Sequence, residues 1–164
     1  MQSIPRNNRT VYIPVLLLMI VMVLGLAGCG NGSDMPYNGD IAFHEIHVTI
    51  PDGFIRDSTQ SGEDTWIFEE GFYTKIIILN RSDITGDTAA SIDGYAAYMA
   101  QQGADSRQTT FLDKDAVLST YTLEDTFCQE MLFAHNGSFY AVALRGGTEA
   151  EFKALLDTVE IPDA

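Results

Sequence analysis

Hydrophobic and polar residues follow two different patterns along this chain. Val15–Leu24 reads VLLLMIVMVL, one unbroken apolar block. From Ile41 onward the pattern alternates, and Ile46, Val48 and Ile50 mark a strand. Pro51-Asp52-Gly53 ends it with turn chemistry. Thr65–Glu69 and Tyr73–Asn80 flank Glu70-Gly71 and predict a hairpin. Within it, Ile76-Ile77-Ile78-Leu79 is apolar on both faces, the mark of a strand covered on both sides. Ser91 is placed to cap a helix in which Ile92, Tyr95, Ala96 and Met99 recur at helical spacing, with Gly103 as its stop. Strands follow at Gln108–Leu112 and Ala116–Leu123, then at Phe127–His135 and Ser138–Leu144. Asn136-Gly137 joins the last two and is the strongest hairpin signal in the chain. Thr148 and Glu151 form a capping box ahead of a Phe152, Leu155, Leu156, Val159 stripe.

The apolar block has a separate meaning. Arg6 and Arg9 precede it without any acid, and Leu26-Ala27-Gly28-Cys29 follows it. A basic start, a short apolar run and small residues before a break are the parts of an export signal. The last four residues resemble the lipobox of bacterial lipoproteins. That resemblance implies cleavage after Gly28, with Leu26, Ala27 and Gly28 read by the signal peptidase. It also implies a diacylglyceryl group on Cys29. As a membrane-spanning segment, Val11–Gly28 would be barely long enough, and Pro14 interrupts it. Residues 1–28 are therefore read as signal and 29–40 as the lipidated cysteine with a Gly-, Asn- and Asp-rich tether. Residues 41–164 are read as one α+β domain.

Removing the signal leaves 136 of the 164 residues, enough for a single domain with a real core. Both signal arginines leave with it while all 23 acids stay, so the exported part holds seven bases and a formal charge of −16. Such a surface repels phosphate backbones, which disfavours nucleic acid as a partner. Cys128 is the one thiol left after Cys29, so no internal disulfide is available. Its apolar strand context predicts a buried, inert side chain.

The order of strands, helix, antiparallel strands and terminal helix predicts a central antiparallel β-sheet with helices packed on its faces. Ile50-Pro51-Asp52-Gly53-Phe54 resembles the opening of PsbP-like domains. The Ser91–Tyr95 helix start, Phe139-Tyr140-Ala141 and the Phe152–Ile161 end fall in the same order as in that family. The resemblance spans most of residues 41–161. It implies an α/β/α sandwich and an accessory or binding role rather than catalysis, and it transfers no site residues.

Candidate chemistry is sparse. His44 and His47 lack one residue of the H-E-x-x-H spacing and lie on opposite faces of a strand, so no shared metal is expected. His135 with Ser138 lacks a nucleophile elbow, and a hydrolase would need a third group to orient the histidine. Glu63-Asp64, Glu69-Glu70, Asp113/Asp115 and Glu124-Asp125 sit at predicted turns, where glycoside hydrolysis by a pair facing across a cleft and a weak divalent-cation site are the rivals to plain solvation. Arg145-Gly146-Gly147-Thr148 lacks the lysine and spacing of a phosphate loop. No motif implies a cofactor. Trp66, Phe68, Phe72 and Tyr73 cluster at the first hairpin and form a binding patch where exposed, core where buried. The expected partners are the membrane, through Cys29, and an envelope protein.

Overall fold

In the computed structural model the described residues are 39–83 and 91–162. The signal, Cys29 and most of the tether lie outside them. Among the described residues no helix is long and apolar enough to cross a membrane.

The chain enters through a separate hairpin, β1 (Gly39–Phe43) and β2 (Ile46–Ile50), paired in antiparallel register from Gly39↔Ile50 to Phe43↔Ile46. Gly39 and Asp40 thus belong to β1 rather than to a tether. The main sheet contains β3 (Ile55–Arg56), β4 (Thr65–Glu70), β5 (Lys75–Asp83), β6 (Asp105–Phe111), β7 (Lys114–Leu123), β8 (Thr126–His135) and β9 (Ser138–Arg145). Its order is β3-β4-β5-β9-β8-β7-β6, with antiparallel pairing throughout. After β5 the chain re-enters at the far edge as β6, and the β6–β9 meander walks back to β5. Helix α1 (Ile92–Gln101) belongs to that crossover, and α2 (Glu149–Leu156) follows β9.

Local chemistry sets these elements. The Ser91 hydroxyl accepts from Gly94 N at 2.9 Å, and Gly103 ends α1 at φ +84. The Thr148–Glu151 capping box is complete. The β8–β9 turn takes Asn136 and Gly137 at φ 45 and 77, the two positive angles that a tight I′ turn requires. The β6–β7 turn is Leu112-Asp113, one residue earlier than composition implies, again with both residues left-handed.

Alternation then sorts side chains to two faces. Phe68, Ile77, Leu79, Val142, Phe133 and Tyr140 share one face and pack under β1–β2 and α2. Each fully buried side chain of this size contributes about 2 kcal/mol. All of Ile76–Leu79 is buried, as its two-faced apolar run predicts. On the opposite face Leu132, Phe139 and Ala141 meet Ile92 and Tyr95 of α1. That face also holds a polar group. Glu130 is 1% exposed, its carboxylate accepts from the Tyr95 hydroxyl, and Tyr121 lies 3.5 Å from its other oxygen. Burial pushes the Glu130 carboxyl upward despite both tyrosines, and burial likewise raises the Cys128 thiol. Cys128 is free and buried.

Candidate functional site

The four aromatic residues of the first hairpin separate. Phe68 is fully buried and pairs with Ile77, so it is core and leaves the expected patch. Trp66 is half-buried, with Phe43 edge-on at 5.2 Å and the Arg56 guanidinium 3.9 Å from its ring centre. Phe72 and Tyr73 are exposed at the tip. Tyr73 does not begin the strand, because Gly71, Phe72 and Tyr73 take φ 58, 51 and 65 in succession and β5 starts only at Lys75. Left-handed backbone at bulky residues costs roughly 1 kcal/mol each.

The tip is held from below. Thr74 N donates to Gly71 O at 3.2 Å and the Thr74 hydroxyl donates to Glu70 O at 3.0 Å. Gly146, at φ +76, lies so close beneath that a Cβ would stand 2.1 Å from the Thr74 carbonyl oxygen. Beside this foot lies a largely apolar groove of about 410 Å³ between the hairpin, the residues after β2 and α2; Pro51, Phe54, Ile77, Leu144 and Leu155 line it. At its rim Lys75 Nζ bridges Glu151 at 2.6 Å and Glu70 at 3.3 Å. Lys75 and then the Thr148 cap hold the Glu151 carboxyl down at about 2. An exposed aromatic tip beside an apolar groove can embrace a complementary side chain, and large exposed aromatics are typical interface anchors.

The opposite end of the sheet collects the polar residues. The β1–β2 turn brings Glu45 to His135 at 3.7 Å and to the Tyr140 hydroxyl at 3.4 Å. His44 reaches Asp64 at 3.3 Å, and Arg81 spans Asp64 and Asp83 at 3.2 and 2.6 Å. Ser138 donates to Asp83 at 3.2 Å rather than to His135, so the hydroxyl and the imidazole are not joined as nucleophile and base. His44 and His47 do not converge either: His44 sits in the turn and His47 lies exposed on β2. The acidic turns are separate, with Asp64 paired to Arg81 and Glu124 to Arg145 at 3.1 Å. Among the described residues no group of three or more His, Cys, Asp and Glu could hold a metal ion.

No protein-family model matches the chain, and no curated protein is similar to it in sequence. Among solved structures, the solution structure of cyanobacterial PsbP (CyanoP) from Synechocystis sp. PCC 6803 is similar. It shares 12% identity at a TM-score of 0.55, covering 85% of this chain and 99% of that one. The fold is PsbP-like. A crystal structure from Bacteroides thetaiotaomicron also aligns, at 13% identity and a TM-score of 0.48, over 82% of this chain and 50% of that one. At such identity the PsbP-like likeness carries architecture and no residue roles. Sequence reasoning passed over three residues whose setting only the fold reveals: Arg107 and Gln129, which line a groove beside α2, and Glu130, buried beneath α1. Gln129-Glu130 interrupts the apolar Phe127–Ala134 run, which was the available signal.

Proposed function

We propose that this chain is a lipid-anchored accessory protein on the outer face of a membrane, binding an envelope protein through the β4–β5 tip and performing no catalysis. One observation carries the reading: Phe72 and Tyr73 are held in solvent on left-handed backbone beside an apolar groove. The PsbP-like fold supports an accessory class. Leu26-Ala27-Gly28-Cys29 supports the address, since two acyl chains suffice for stable anchoring.

The test is photocrosslinking from position 72 of the full, membrane-anchored chain, with the products identified by mass spectrometry. One stoichiometric envelope protein should be recovered, and it should be lost when Phe72→Ser and Tyr73→Ser are combined. Recovery of the same protein with both aromatics gone would overturn the tip as the contact. Metabolic labelling with a fatty acid tests the anchor: Cys29→Ala should abolish it and leave an uncleaved precursor.

A further inference from the structure

Helix α2 has a second groove on its other side, away from the aromatic hairpin, of about 620 Å³. Its floor is built from two neighbouring cross-strand rows. Asp105 opposes Thr120, which opposes Gln129, and Arg107 opposes Leu118. Phe152 and Leu156 of α2 face this floor, with Glu149 and Lys153 on the same wall. We infer that this groove binds a short zwitterionic peptide, a di- or tripeptide with an apolar residue and both termini free.

Three observations carry the inference independently of the hairpin. The first is Gln129. It is 3% exposed and lines the groove, and its amide nitrogen has no hydrogen-bond partner. A buried donor left unmade costs free energy, and a turn of this side chain toward the groove it lines would offer the amide to an acceptor that arrives from outside. A peptide carbonyl is such an acceptor.

The second is charge. Asp105 and Arg107 stand two residues apart on one face of β6, yet they form no ion pair with each other or with any described residue. Glu149, across the groove, is likewise unpaired, whereas Lys153 is held by Asp157 at 2.5 Å. Free groups of both signs select a ligand that carries both signs. The Cα atoms of Asp105 and Arg107 lie about 7 Å apart along the strand, and the longer Arg107 side chain lets its guanidinium reach further, so the two charges can straddle a ligand of two or three extended residues. The ammonium therefore meets Asp105, with Glu149 opposite, and the carboxylate meets the planar Arg107 guanidinium.

The third is the apolar wall. Leu118, Phe152 and Leu156 offer a surface for one hydrophobic side chain between the two charged ends. The volume lies within the usual range of small-ligand sites.

The test is calorimetric titration of the full chain in neutral detergent micelles with L-Ala-L-Phe. Its amidated and N-acetylated forms, each lacking one terminal charge, are titrated in parallel. Saturable binding should weaken about tenfold or more in each blocked form. Arg107→Gln should erase the preference for the free carboxylate, and Asp105→Asn the preference for the free ammonium. Both positions are exposed, so folding is not at stake. Gln129→Leu supplies a readout that a merely structural role would not give. Affinity should fall about fivefold while the melting temperature holds or rises, because an orphaned donor has been removed. No saturable binding in the millimolar range would overturn the proposal. So would equal affinity for the free and blocked peptides, or unchanged binding in Gln129→Leu.

Discussion

The β8–β9 and β4–β5 hairpins turn at opposite ends of the same sheet, and their turns are built on opposite terms. The first closes on Asn136-Gly137, small residues that take positive φ at little cost, with open space around Gly137. Its neighbours are spoken for: His135 faces Glu45 and Ser138 is bonded to Asp83. The second places Phe72 and Tyr73 where glycine or asparagine would serve better, and leaves Phe72 wholly exposed. One turn is chosen for folding. The other accepts a local cost at Phe72, whose ring lies wholly in solvent, which is the signature of a group kept for contact with something else.

Three variants test that contrast. Gly146→Val should cost most, more than about 3 kcal/mol, because a side chain there drives into the Thr74 carbonyl as well as forcing positive φ. Urea denaturation reads it, and an unchanged midpoint would mean that the aromatic hairpin is not rigidly footed. Gly137→Val has only the backbone penalty, since among the described residues nothing lies within 4 Å of a Cβ there. A loss of about 1–2 kcal/mol is expected. Equal losses at the two glycines would erase the distinction between a crowded and an open turn. Phe72→Asn combined with Tyr73→Gly should raise stability by up to about 1 kcal/mol while abolishing the crosslinked partner. A fall in melting temperature would instead make the aromatics structural.

Most of the architecture could be read from the chain. The Asn136-Gly137 turn, the Ser91 cap and the Thr148–Glu151 box each depend on neighbours in sequence and appear where the pattern placed them, while alternation found the strands but not their ends: β5 begins at Lys75 rather than Tyr73, and β6 at Asp105 rather than Gln108. The β1–β2 turn at His44-Glu45 was opaque because neither residue is a turn former; His44 takes φ 54 without glycine or asparagine to announce it. Sites were harder still. Phe68 and Phe72 look alike in the sequence, and only strand phase and the left-handed run at 71–73 put one in the core and the other in solvent. Gln129 with Arg107, and Glu130 with Tyr95, meet only through sheet register and helix docking, which no local pattern encodes.

The enclosure of Glu130 makes the grip of α1 on the sheet a matter of proton occupancy. With its carboxyl raised above the ordinary 4.5, the folded state holds that proton more tightly than the unfolded chain. Its contribution is complete below pH 4.5 and drains away as pH climbs through the raised value. Glu151 runs the other way: held at about 2 by Lys75, it stabilises above pH 4.5 and fails as pH falls toward 2. Melting curves taken across pH should therefore show a weakening on the basic side that Glu130→Gln flattens and Lys75→Met leaves in place. Glu130 thus withdraws its support from the helix-covered face only as pH climbs past its raised value, and Glu151 from the helix-capped rim only as pH falls toward 2, so the same acidity acts in opposite senses at the two helices.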